Sequence, residues 1–316
     1  MSIIGLQPTQ SLTQAGRKVF SHHFHDLTAC ERDVRSGDNI EAIHDMRVAT
    51  RRFRAAIHIF AAGFSTSSLK FLQKGLKKTA KMLGTVRDLD VFLEKLGIYQ
   101  QQFPLAEQTE LAPLLEYFDL QREIARAKLI SYLESAAYEK FKTKTTHFLR
   151  QEHDVVIDKS RKPTPFQIAH IAPALIYKRY EAIRVYEPFL IDASVELLHQ
   201  LRIDFKHFRY TLENFHDILG GESTVVLADV KKIQNHLGDL NDARVACELV
   251  QDFLQHWKQY RKKIATTRAK KPIAVIDYLN VKLAEKDLLS ETFPQAWHHF
   301  NSNKLRLNLA LSIAVI

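Results

Sequence analysis

Apolar side chains recur along this chain at intervals of three and four residues, and stretches that alternate apolar with polar positions are nearly absent. That period gives a helix one apolar stripe, so helices are predicted at about 9–36, 39–62, 66–83, 86–101, 108–150, 164–187, 194–219, 222–237, 240–262 and 272–290. Cap chemistry supports several ends: Ser36-Gly37-Asp38-Asn39 precedes the second helix, Asp192-Ala193-Ser194 precedes the seventh, and Gly220-Gly221 reads as a stop. The polar, proline-bearing stretch from Asp158 to Pro165 reads as a linker near the midpoint. The tail from Leu305 to Ile316 is apolar again and is expected to pack on the body.

The two halves repeat one another. Ile43-His44-Asp45-Met46-Arg47-Val48-Ala49-Thr50-Arg51-Arg52-Phe53-Arg54 aligns with Leu198-His199-Gln200-Leu201-Arg202-Ile203-Asp204-Phe205-Lys206-His207-Phe208-Arg209. His44 pairs with His199, Arg47 with Arg202, Arg51 with Lys206 and Arg54 with Arg209. Further on, Lys77-Lys78 matches Lys231-Lys232, Leu83-Gly84 matches Leu237-Gly238, and Asp88 matches Asp242. Matching basic and glycine positions in one order across two helices point to an internal duplication. The expected fold is therefore all-α, two copies of one helical unit, with halves at 8–157 and 163–292 and a tail at 293–316.

The length of 316 residues agrees with two units. Only 10 Gly and 9 Pro argue against an all-β protein, and against glycine-rich nucleotide folds. Two cysteines without a CxxC partner, Cys30 and Cys247, are expected to be buried free thiols of a reducing compartment. Residues 1–16 lack a signal-peptide pattern, and there is no apolar run of about 18 residues, so a cytoplasmic protein with no membrane partner is expected. The charge is less ordinary: 45 Lys and Arg against 36 Asp and Glu leave +9 before 15 histidines are counted.

Placement matters more than that total. At about 100° per residue, His44, Arg47, Arg51, Arg54 and His58 share roughly an 80° sector, opposite Met46, Phe53, Ile57 and Phe60. His199, Arg202, Lys206 and Arg209 repeat it opposite Leu201, Phe205, Phe208 and Leu212, although Glu213 stands where His58 does. Lys70, Lys74, Lys77, Lys78 and Lys81 share one face of the next helix. A solvated face normally mixes signs, because like charges three or four residues apart destabilise a helix. These sectors hold no acid from Arg47 to Arg54, which implies an external anion.

Ten residues of helix cover about 15 Å, so each stripe suits an extended ligand rather than one phosphate. Arginine supplies a planar fork and lysine a mobile point charge, which together match a chain of closely spaced phosphates. Nucleic acid fits the charge too, but base recognition adds exposed aromatics, and Phe53, Phe205 and Phe208 sit on the core side. Tyr210 is the exception, close to the basic sector.

The segment His44–Arg54, followed by Leu83-Gly84-Thr85-Val86-Arg87-Asp88-Leu89-Asp90-Val91, resembles the signature of the CHAD family, the conserved histidine α-helical domain. Its second-half counterpart is His199, Arg202, Lys206 and Arg209 with Leu237-Gly238-Asp239-Leu240-Asn241-Asp242-Ala243-Arg244. The resemblance spans about residues 8–292. It implies two four-helix bundles related by pseudo-two-fold symmetry around a basic channel, binding of inorganic polyphosphate without catalysis, and in some organisms association with polyphosphate granules. Carried over, the channel would be lined by His44, Arg47, Arg51, Arg54, His199, Arg202, Lys206 and Arg209, and extended by Lys74, Lys77, Lys78, Lys81, Lys231 and Lys232. Gln200 departs from Asp45, and Asn235 departs from Lys81.

Metal chemistry is the sharper alternative. A phosphohydrolase of the HD type would need a His…His-Asp…Asp set, into which His22 or His23, His44-Asp45 and Asp88 could be forced. Three arginines on the His44 face oppose dications. In His22-His23-Phe24-His25, adjacent rings point about 100° apart and no carboxylate set completes the coordination, so no metal site is expected. Arg261-Lys262-Lys263, Arg268 and Lys270-Lys271 read as a basic loop that could assist capture of a polyanion. Walker-A, GxGxxG, GxSxG and HExxH motifs are absent, and no cofactor is expected.

Overall fold

The computed structural model describes residues 4–37, 41–104, 108–151, 166–263 and 272–316. Among these the regular structure is helical: α1 Leu12–Ala29, α2 Glu31–Ser36, α3 Ala42–Phe60, α4 Thr66–Gln100, α5 Ala112–Leu133, α6 Ala136–Arg150, α7 Ile168–Arg184, α8 Val195–Phe215, α9 Glu222–Lys263, α10 Ile273–Phe300 and α11 Asn303–Ile313. The linker reading at 158–165, most of the basic loop at 261–271 and the Asp38-Asn39 cap lie outside the described residues. No described helix is long and apolar enough to cross a membrane.

The helix ends show where local chemistry decides. Ser11 caps α1 with a reciprocal capping box to Gln14. Ser194 caps α8 as its position in the sequence suggests. Gly37 adopts φ 80° and closes α2, its N–H donating to the Asp33 carbonyl, so this glycine ends a helix rather than opening the next. The predicted helix 108–150 is divided at Ser135, whose hydroxyl accepts from the Tyr138 N–H and starts α6 afresh. The predicted helix 9–36 is divided by a turn at Cys30.

Two expected breaks are absent. α4 runs unbroken through Gly84 and α9 through Gly238, because an interior glycine weakens a helix by only about 1 kcal/mol, which tertiary packing outweighs. The helix predicted over 272–290 is also longer than expected, since α10 continues to Phe300. Phe293, Trp297, Phe300, Leu305, Leu309 and Ile313 are buried in the common core, so the C-terminal residues pack on the body.

In the first half α1 packs on α3, α3 on α4 and α4 on α5; in the second, α7 packs on α8, α8 on α9 and α9 on α10. Each half carries the same sequence of elements at its centre: α3, a 3-10 turn at Ala61–Gly63 and α4; α8, a 3-10 turn at His216–Ile218 and α9. The halves share one apolar core running from Leu6 to Ile313. Its seam is α3 against α8, where the equivalent rings of Phe60 and Phe215 meet at 5.5 Å. Tyr117 and Phe118 of α5 meet Phe253 of α9, and Phe92 of α4 meets Tyr278 of α10. Backbone bonds between residues 8–12 and 166–169 close the other end.

The glycines separate two situations. A Cβ on Gly75 would lie 2.1 Å from the Phe141 ring, because α4 and α6 approach closely there, whereas one on Gly84 meets nothing within 4 Å. Gly75→Ala should therefore cost about 1–3 kcal/mol, while Gly84→Ala should gain up to about 1 kcal/mol. Urea denaturation with unchanged m-values reads both, and equal midpoints for the two variants would contradict this packing.

Candidate functional site

α3 and α8 turn their apolar stripes into the core and their basic stripes toward one another. A cleft of about 630 Å³ opens beside this seam, walled by α3, α4, α8 and α9, with Tyr278 of α10 also in its lining. His44 and Arg47 enter it from α3, Arg87, Asp88 and Lys95 from α4, His199 and Arg202 from α8, and Asn235, Asn241, Asp242 and Arg244 from α9.

Arg51 and Lys206, which the repeat makes equivalent, continue the cluster deeper into the seam. The Lys206 ammonium is pushed down to about 7, first by burial and then by the positive charges of Arg202, Arg51 and Arg47, with Asp242 opposing. Burial also lowers Arg51 and Arg202, which remain cations at neutral pH. The Arg51 guanidinium lies over the buried ring of Tyr210, 5.6 Å from its centroid. That cation–π contact holds the charge where water is scarce. The buried Nε of Arg51, Nε of Arg244 and Nε2 of Gln234 have no hydrogen-bond acceptor among the described residues. Four cations are thus held within electrostatic reach of each other, with donors unused.

Carboxylates enter from helices that a single-helix reading does not connect. Asp88 on α4 accepts from Arg47 at 3.2 Å, and Asp242 on α9 accepts from Lys95 at 3.1 Å. Asp88 keeps 58% of its side-chain surface accessible. Enclosure by the surrounding helices nevertheless raises its carboxyl pKa, with Arg47 opposing and Asp242 adding to the rise. The acid-free sectors of the sequence therefore describe each helix but not the assembled site.

The remaining sequence candidates divide. Arg209 is engaged by Glu213 at 2.7 Å and Gln234 at 3.0 Å, and Glu213 also faces Arg52 at 3.7 Å. Arg54 is exposed and lies beside His58, outside the cleft lining. Lys74, Lys77, Lys78 and Lys81 are exposed on α4 and do not line it either; Lys78 sits over the Tyr132 ring, 4.7 Å from its centroid. Lys231 and Lys232 are exposed on α9, with Lys232 paired to Asp229. His199 bonds Asn241 at 3.1 Å, while burial and then Arg87 lower His44.

Arg87, Lys95 and Arg244 are site cations that the stripe argument missed. Arg87 and Arg244 sit inside the two motif stretches, which was the available signal; Lys95 had none. The forced His…His-Asp…Asp set is not assembled: Asp45 is exposed, and His44 and Asp88 share the cleft with Arg47 and Arg87. His22 and His23 gather instead around Asp26 on α1. Both cysteines are free; Cys247 is buried as expected, whereas Cys30 is only half-buried, its Sγ donating to the Asp26 carbonyl.

A model of the CHAD domain matches residues 18–251, which include both motif stretches. Curated protein sequences give no match. Among solved structures, the CHAD domain from the plant Ricinus communis superposes with a TM-score of 0.70 at 22% identity, covering 94% of each chain. PptA from Streptomyces chartreusis superposes with a TM-score of 0.66 at 16% identity, covering 92% of this chain and all of that one. Identities this low speak for a shared all-α fold. Together with a family match across most of its length, they make this chain a member of the CHAD family.

Proposed function

We propose that this protein binds inorganic polyphosphate without turning it over, and that the chain lies in the cleft between α3, α4, α8 and α9. The two repeats would then present their basic stripes to one ligand about a local two-fold axis. The observation that carries this reading is the desolvated group Arg51, Arg202 and Lys206, joined at the opening by Arg47, whose mutual repulsion is only partly offset by Asp88 and Asp242. Such a group is destabilising alone and becomes favourable when phosphates enter. Phe92 and Tyr278 of the lining are buried, so among the described residues the cleft presents no exposed Phe, Tyr or Trp on which bases could stack. That favours a bare phosphate chain over nucleic acid.

In the ligand-free protein Asp88 and Asp242 occupy part of what the ligand would use, on Arg47 and Lys95. Entry of a phosphate chain exchanges these carboxylates for phosphate oxygens. The bound state also favours the Lys206 ammonium, so binding takes up a proton near and above pH 7. The sign follows: affinity falls as pH rises through this range.

Joint replacement of Arg47, Arg51, Arg202 and Lys206 by alanine should lower polyphosphate affinity at least about 100-fold, with helicity by circular dichroism unchanged. The wild-type affinity should fall steeply with salt, and more steeply than that of the variant. Retained affinity in the folded variant would contradict the assignment. Asp88→Asn and Asp242→Asn should each tighten binding by about 2–5-fold, because each removes an internal competitor of modest strength; weaker binding would show that the carboxylates assist. Calorimetry at pH 8 in buffers of different ionisation enthalpy should show proton uptake on binding that Lys206→Arg abolishes. Equal uptake in both proteins would assign the titration elsewhere.

A further inference from the structure

Outside the cleft, on α1, three potential ligands converge. The Nε2 of His22 lies 3.5 Å from Oδ2 of Asp26, and Nδ1 of His23 lies 4.0 Å from the same oxygen. The ligand atoms of all three residues fall within 4.8 Å of one another. A tetrahedral zinc ion with bonds of about 2.0–2.2 Å sets its ligand atoms about 3.4 Å apart. One edge of that triangle is already at this length, and the others need movements of under about 1.5 Å by side-chain rotation.

Adjacent histidines diverge by about 100° along a helix, and from sequence no thiolate or carboxylate set is expected to complete a coordination here. Asp26 resolves the divergence, standing four residues from His22 and three from His23, so that it reaches both. The two imidazole centroids are 5.3 Å apart. His23 is 5% exposed, and its buried Nδ1 faces Asp26 at 4.0 Å, beyond ordinary hydrogen-bond length. A buried, unpartnered acceptor or donor of this kind is uncommon without a role. His22 and Asp26 keep 27% and 36% of their side-chain surface accessible, which leaves an entry path and room for water ligands. Of the positive charges that bear on His23, His22 belongs to the site itself and Arg52 faces Glu213 at 3.7 Å.

We propose that His22, His23 and Asp26 form a site for one divalent first-row transition ion, of which Zn²⁺ is the natural probe. Two imidazoles and a carboxylate suit a borderline ion rather than Mg²⁺ or Ca²⁺, and they leave positions for water. The site does not line the cleft and stands independently of polyphosphate binding.

The untagged protein, stripped with a chelator and kept free of polyphosphate, should bind one Zn²⁺ per chain in the micromolar range or tighter, read by competition with a chromophoric chelator. Co²⁺ at one equivalent should give visible d–d absorption. His22→Gln and Asp26→Asn, both at partly exposed positions, should each weaken this binding at least tenfold while helicity is preserved. Zn²⁺ should raise the Tm of the wild type and not of the double variant. Equal Zn²⁺ affinity in wild type and the double variant, or no wild-type binding below about 100 μM, would overturn the proposal.

Discussion

Like charges do not gather in a protein interior unless something holds them there. Here the holding force is the apolar seam between α3 and α8. Phe53, Phe60, Phe205, Phe208 and Phe215 are fully buried behind the basic stripes, and the Phe60 and Phe215 rings meet across the seam. Burying an aromatic side chain stabilises the fold by roughly 1.5–3 kcal/mol, so a handful of them offsets the repulsion among a few partly screened cations. The sequence alternates core and charge at helical period, and the helix–helix contact then turns that alternation into opposed basic faces. The depressed Lys206 ammonium is the local mark of that strain.

The fold was readable because one residue type does one task in it. The helical period and the Ser194 cap survive in the structure, and His44, Arg47, His199 and Arg202, paired by the repeat, all line one cleft. What failed were several inferences that needed a neighbouring helix. Gly84 and Gly238 were read as breaks, yet packing on both sides carries α4 and α9 through them. Arg209 looked equivalent to Arg54, but Glu213 and Gln234 engage it. The acid-free stripes were real along α3, and Asp88 and Asp242 still reach the cleft from α4 and α9. Lys95 carries no motif at all and is placed only by the tertiary structure. His22 and His23 diverge on a helical wheel, and side-chain reach rather than backbone angle brings both to Asp26.

Division of labour within the cleft follows from solvent access. Arg51 and Lys206 are half-buried at the seam, where each charge has few competitors and a strong field. Arg47 and Lys95 are paired with carboxylates nearer the opening, where pairs are individually weak and readily exchanged. In the proposed complex the deep cations supply affinity, and the outer pairs set how easily a phosphate chain enters and leaves. Exposed lysines on α4 and α9 would add long-range attraction that salt screens.

A linear polyanion engaging both repeats has one property that separates it from a single phosphate at a single pocket: affinity depends on length. Titration of the wild-type protein with polyphosphates of graded chain length, at fixed salt and equal phosphate concentration, measures this directly. The account predicts that affinity rises steeply with length until the ligand spans the basic seam between α3 and α8, then levels off. Equal affinity for orthophosphate, triphosphate and long chains, counted per phosphate, would contradict it.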